Sequence, residues 1–234
     1  MSLPQLILVP GLLNDADLWR EQVAALSDVA RPEVADITQS ETLAALAEDV
    51  LARAEVRFAL AGFSLGGIVA LEIMRRAPER VSHLALLDTT PLPDDPDRAA
   101  ERARLVATAR SHDKFHGFGE RMLRSYLAPE NLKNAAMADR VRAMTKRLGP
   151  DVFIRQSGID RPDSRASLGS ITCPTLILCG EHDAWTPATV HRDMAVAIPN
   201  SQLVIVPGSG HLTPIEQPAA VSRALRALLV RKDH

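Results

Sequence analysis

The stretch that most constrains the fold is FALAGFSLGGIVALEIMRRAP, residues 58–78. An apolar run ending at Ala61 passes through Gly62-Phe63-Ser64-Leu65-Gly66 and straight into apolar residues at helical spacing. A strand that becomes a helix within so few residues needs a sharp, strained corner. Gly62 and Gly66 lack a Cβ and leave room where a side chain would collide with neighbouring backbone. Ser64, at the apex, is pushed above the sheet edge and set at the electropositive N-terminal end of a helix. The bare spacing G-x-S-x-G is common; the flanking strand and helix make it specific. The plain alternative is a glycine-rich turn with an incidental serine.

The rest of the chain repeats the strand–helix alternation. Strands are expected over residues 5–9, 31–37, 56–61, 81–87, 175–179 and 202–206, most rich in Val, Ile and Leu, as in strands covered on both faces. Helices are expected over 17–26, 41–54, 65–77, 187–198 and 214–230, the last carrying Val221, Leu225, Leu228 and Leu229 on one stripe. This order predicts an α/β fold, a mostly parallel sheet of about six strands with helices on both faces. The alternation stops over residues 91–168. Helical patterns at 97–111 and 134–148 lie there between the turn-rich segments PLPDDPD and DRPDSRASLGS. The expected organisation is a core of residues 1–90 and 169–234 with a helical lid, 91–168, inserted after the fourth strand. Residues 94–168 carry a net charge of +4 and the remainder −6.

Composition removes several function classes. With 27 Lys and Arg against 29 Asp and Glu the net charge is −2, so a global polycation for nucleic acid is excluded. The apolar run 58–71 is too short and too glycine-punctuated for a membrane span. Cys173 and Cys179 fall in ITCPTLILCG, read as one buried strand; six residues at roughly 3.3 Å each hold them beyond bridging distance. Reduced core cysteines, and an apolar start without a basic leader, make the cytoplasm the expected compartment.

A serine hydroxyl becomes a nucleophile when a base takes its proton. After the 202–206 strand comes Pro207-Gly208-Ser209-Gly210-His211, which puts His211 on a loop at the same carboxyl edge as Ser64. After the 175–179 strand comes Gly180-Glu181-His182-Asp183, which makes Asp183 the candidate acid to orient the imidazole. Asp88, at the end of the fourth strand, is its competitor. Asp183 would otherwise cap the next helix, a place for which Thr186 is better suited. An oxyanion needs two N–H donors: Leu65, directly after the nucleophile, and Leu12, in the loop after the first strand, where Pro10 has no N–H to offer. Glu181, His182 and Asp183 suggest a metal set, but no H-E-x-x-H or second cluster accompanies them, so no metal is expected. No G-x-G-x-x-G follows the first strand, and no cofactor is expected.

The order Ser64, Asp183, His211, with the LVPGL, GFSLGG, GEHDAWTP and GSGHLTPIEQP segments, resembles the α/β-hydrolase superfamily over nearly the whole chain outside the lid. Within it the chain is similar to small bacterial carboxylesterases and lactonases, including the type that demethylates pimeloyl-carrier-protein methyl ester. Two departures stand out: Pro10 replaces the usual His before the oxyanion-loop glycine, and the opening hairpin is absent, leaving six core strands. Haloalkane dehalogenases and epoxide hydrolases of this fold need a carboxylate at position 64. The resemblance implies a serine hydrolase of small or medium carboxylic esters. Lactone opening, C–C cleavage, acyl or thioester transfer and a non-catalytic ligand-binding role stand as alternatives. Phe115, Phe118, Met122, Tyr126 and Trp185 are expected at the acyl pocket, with packing between lid helices as the other reading; Trp19 is expected to anchor the first helix. The lid charge suits an anionic acyl chain or an acidic carrier protein, against a plain reading as solvated helix faces.

Overall fold

The computed structural model describes residues 3–110 and 117–231. Six strands form one parallel sheet in the order β2-β1-β3-β4-β5-β6. They are β1 (Gln5–Val9), β2 (Arg31–Val34), β3 (Phe58–Phe63), β4 (Val81–Leu87), β5 (Thr175–Gly180) and β6 (Ser201–Val206). Side chains alternate across the pleat. Leu6, Leu8, Ala59, Ala61 and Phe63 enter one core with α1 (Arg20–Leu26) and α9 (Pro218–Leu229). Ile7, Val9, Phe58 and Leu60 enter the other with α2 (Leu43–Arg53), α3 (Leu65–Arg76) and α7 (Ala188–Ala197). Trp19 lies fully buried in the first core, edge-on to Phe63 at 6.5 Å.

The strand order reverses at β1. The chain goes first to β2 on one side and then to β3 on the other, so the loops leaving β1 and β3 diverge and open a crevice at the carboxyl edge. Between β4 and β5 the described residues form α4 (Pro96–Ala109), α5 (Glu120–Tyr126) and α6 (Ala135–Ser157), with no strand among them. At Gly149 the φ is +79° and Pro150 follows, so α6 is bent there, the proline being unable to continue the hydrogen-bond ladder. No described helix is long and apolar enough to cross a membrane.

Several boundaries differ from the sequence reading for physical reasons. The second strand stops at Val34 instead of residue 37; it is an edge strand of alternating half-exposed residues, with Pro32 tolerated because no further strand needs its N–H. The third runs to Phe63, two residues beyond the expected Ala61, as Gly62 and Phe63 pair with Leu86 and Leu87. The last helix is two pieces, α8 (Thr213–Glu216) and α9, parted at Gln217 by the ring of Pro218. Cys173 lies before β5, outside the strand, and Cys179 is buried within it. Neither is disulfide-bonded.

Candidate active site

Ser64 sits between β3 and α3 with φ +52° and ψ −116°, the left-handed side that side chains avoid. The corner is possible because the backbones interlock. A Cβ on Gly62 would stand 2.3 Å from the Gly66 carbonyl oxygen, and one on Gly66 2.2 Å from the Val9 carbonyl oxygen. The Ser64 N–H donates to the Leu87 carbonyl at 3.0 Å, tying the corner to β4.

Three side chains far apart in sequence meet above this corner. His211 Nε2 lies 3.0 Å from Ser64 Oγ, and its Nδ1 lies 3.0 and 2.9 Å from the two Asp183 oxygens. A carboxylate only accepts, so Nδ1 carries the hydrogen and Nε2 is left to receive one from Ser64. Asp183 Oδ1 also accepts the N–H groups of Trp185 and Thr186 at 2.8 and 3.0 Å, and Oδ2 the Thr186 hydroxyl at 2.6 Å. Burial opposes its charge, but the attraction and hydrogen bond of His211 and the bonds from Thr186 outweigh that and hold the acid below its usual range. The sequence made Thr186 the better candidate to cap the next helix, but its hydroxyl is spent on Asp183; α7 starts at Ala188 with Pro187 before it and no side-chain cap.

Asp88 does not touch His211. Fully buried, it accepts the Gly180 N–H at 2.9 Å through Oδ1 and is bonded to the Thr213 hydroxyl through Oδ2. Burial, then the neighbouring Asp183 charge, push its pKa well above the ordinary carboxylate value, favouring the neutral acid. Asp88, Asp183 and His211 bring ligand-type atoms within 4.8 Å of one another, as a metal would need. All of these oxygens, and His211 Nδ1, are already engaged by hydrogen bonds, so the donor set suits proton relay, not metal ligation. His182 points elsewhere, 3.8 Å from Glu181 and 4.0 Å from Glu130.

The histidine loop is held by Glu216, whose carboxylate Oε1 accepts the N–H of Gly210 and Leu212, the two neighbours of His211, at 2.9 and 3.2 Å. Its Oε2 accepts from Ala128 N and Asn131 Nδ2. His211 N–H donates to the Tyr126 carbonyl at 2.7 Å, and the Tyr126 ring meets the imidazole edge-on at 5.1 Å. After β1, Gly11 to Asn14 form a turn closed at 3.1 Å, with Leu13 at φ +52°. Leu13 N–H donates to Gln156 Oε1 at 2.8 Å, and Gln156 Nε2 donates to the Ile37 carbonyl at 3.2 Å. The N–H groups of Leu12 and Leu65 have no protein acceptor among the described residues.

Ser64, His211, Leu12 and Leu65 line one cavity of about 360 Å³. Of the residues expected at its wall, Met122, Tyr126 and Trp185 are there. Phe118 is not: it is buried behind the wall with its ring 4.9 Å from that of Tyr126. Phe115 lies outside the described residues. Gln156, Glu216 and Thr213 escaped the sequence reading. Glu216, the one acid in the apolar segment after His211, carried a usable signal.

The alpha/beta hydrolase family model matches residues 6–224. The pimeloyl-[acyl-carrier protein] methyl ester esterase of Nitrosomonas europaea is 26% identical over 89% of this chain and 88% of its own. Carboxylesterase YbfK of Bacillus subtilis is 30% identical over 97% of this chain and 80% of its own. Among solved structures, a thermophilic esterase from Thermogutta terrifontis with malate bound superposes with a TM-score of 0.86 at 30% identity, covering 97% and 90% of the two chains.

Proposed function

We propose, because the chain belongs to the alpha/beta hydrolase family, that it hydrolyses small or medium carboxylic esters through an acyl-enzyme on Ser64, without a metal or other cofactor. The observation that carries this is the continuous hydrogen-bonded line Asp183–His211–Ser64 ending in a cavity with two unengaged amides. Ser64 Oγ attacks the ester carbonyl while His211 Nε2 takes its proton. The oxyanion is received by the Leu12 and Leu65 N–H groups. His211 then protonates the departing alcohol, activates a water against the acyl-enzyme, and returns a proton to Ser64. Asp183 holds the imidazole orientation and its positive charge throughout. Residues 91–168 act as the lid over residues 1–90 and 169–234, with Met122, Tyr126 and Trp185 against the acyl chain. The names of the Nitrosomonas and Bacillus relatives support the ester reading. The former also raises an acidic carrier protein as the acyl donor.

The test is a panel of p-nitrophenyl esters from acetate to decanoate, assayed in a chelator. The expected result is turnover unaffected by chelation, best at short or medium chains, as the cavity size requires. No turnover on any ester, with turnover of a lactone, would transfer the assignment to lactone opening.

Gln156 is assigned as a positioning residue for the oxyanion turn. Gln156→Met removes the acceptor for Leu13 N–H and lets the turn drift. Because the Leu12 donor is displaced and not deleted, kcat is expected to fall roughly 10- to 100-fold, below the loss for a missing oxyanion donor. KM should move little, since the ester ground state is not held there. Steady-state kinetics check the split; equal changes in KM and kcat would argue for general loosening instead.

A further inference from the structure

The cavity beside Ser64 carries more charge than ester cleavage needs. Three guanidiniums stand in its wall: Arg98, held by the Trp185 carbonyl and Asp95, and Arg102 and Arg161, which share the one carboxylate of Asp94. Arg102 is ion-paired to Asp94 through Nη1, while Arg161 Nε stands 3.9 Å from the other Asp94 oxygen. The Arg161 side chain is only 10% exposed. It gives Nη1 to the Ile159 carbonyl at 2.6 Å and has no second hydrogen-bond acceptor among the described residues. A guanidinium has five N–H donors, and a charge this enclosed is costly unless partnered. Asp160, the next acid in the field of both arginines, is exposed outside the cavity wall. The other acids lining the cavity are spoken for or at its mouth: Glu101 pairs with Arg121 at 2.8 Å and Asp97 is exposed.

Two further observations point the same way. Burial pulls the Arg161 pKa below its usual value. Burial and then the Arg161 charge bring Arg102 to about 10. The first marks an enclosed charge, the second an enclosed charge beside a like one. Ser157 and Trp185 also line this cavity, and their Oγ and Nε1 atoms are buried without a hydrogen-bond partner. Buried polar groups are rarely left unmatched, and both of these belong to residues of the wall that carries the arginines.

We propose that Arg161 and Arg102, balanced by Asp94, form a subsite for a carboxylate carried on the acyl part of the substrate, so that the preferred ester is a half-ester of a short dicarboxylic acid. The inference rests on the ester-hydrolase reading and deepens it. The attacked carbonyl sits at Ser64 while the distal carboxylate of the same molecule lies against Arg161. Asp94 keeps the pair of arginines from repelling each other when the site is empty, and it competes with the ligand for them.

The experiment compares monomethyl with dimethyl esters of succinate, glutarate and adipate. Wild type is expected to favour at least one monomethyl ester over its neutral dimethyl counterpart by ten-fold or more in kcat/KM, the preference shrinking as salt is raised. Arg161→Gln should lower that ratio at least ten-fold. Asp94→Asn should raise affinity for the anion, whereas a merely structural cluster would lose activity on both esters with either substitution. Binding of succinate, glutarate and adipate by calorimetry to Ser64→Ala and to Ser64→Ala/Arg161→Gln supplies a readout that needs no turnover. At least one should bind, with the double variant ten-fold or more weaker. Dicarboxylate binding without any ester turnover would sink the hydrolase reading and leave the subsite standing. Turnover with no preference for the half-esters, or binding indifferent to Arg161→Gln, would sink the subsite and leave the hydrolase.

Discussion

Ser64→Ala is expected to cut kcat on a good ester by roughly five to six orders of magnitude, the loss seen when the nucleophile of a serine triad is removed. Without Oγ there is no acyl-enzyme, and His211 Nε2 loses the hydroxyl it meets at 3.0 Å. What remains is the cavity and the two amides, which leaves a residual rate above water. The substitution should not disturb the fold. Ala at φ +52° is as strained as Ser, and the Ser64 backbone bonds to Leu87 and into α3 are untouched. Phenol release in the steady state, a pre-steady-state burst in wild type only, and an unchanged melting temperature are the measurements. A variant within ten-fold of wild type would remove Ser64 from the chemistry.

The second large effect separates two adjacent acids. Asp183→Asn is expected to cost about 10³- to 10⁴-fold in kcat through the wrong imidazole tautomer. At position 183 the amides of Trp185 and Thr186 fix one oxygen as the acceptor, so the amide nitrogen of an Asn must occupy the place of Oδ2. There it faces His211 Nδ1 as a donor, forcing the ring hydrogen to Nε2, where it can no longer take the Ser64 proton. Asp88→Asn should stay within about ten-fold of wild type by the same accounting of donors and acceptors. Asp88 is disposed to the neutral form by burial and by Asp183. An Asn reproduces a neutral acid there, Oδ1 accepting from Gly180 and Nδ2 donating to the Thr213 hydroxyl. Rates of both variants on one ester decide it. An inactive Asp88→Asn beside an active Asp183→Asn would exchange the roles.

The strand–corner–helix at Ser64 and the two loops bearing Asp183 and His211 could be read from the chain because each is a local event: an apolar run, a glycine turn, then a helix. Chain order did the rest, since parallel strands put all three loops at one edge. The Asp88 ambiguity had a physical source, as both acids end neighbouring strands and only the direction of the carboxylate separates them. Gln156 was illegible for a different reason. It lies 143 residues from its partner Leu13, beyond a Gly-Pro that announces a helix end, and nothing in its neighbours hints at a buried amide. Of the aromatic residues, Tyr126 and Trp185 stand in the cavity wall and Phe118 does not, because composition does not say which way a ring faces. Met122 lines the cavity and Phe118 backs onto Tyr126. The Arg102–Asp94–Arg161 cluster joins residues from both ends of the 91–168 segment. In sequence they are three charges among many.

The Leu13–Gln156 bond makes one amide hydrogen into a gauge of the whole assembly. Leu13 N–H can exchange with solvent only when Gln156 Oε1 releases it, and Gln156 rides on the last turn of α6, so its exchange rate is expected to report how often that end of the helix loosens. The same opening lets go of the turn that presents Leu12. A state with an open wall is then a state without a finished oxyanion site. By linkage, a ligand that favours the closed wall stabilises the turn by the same free energy, and slows that hydrogen in proportion to its grip.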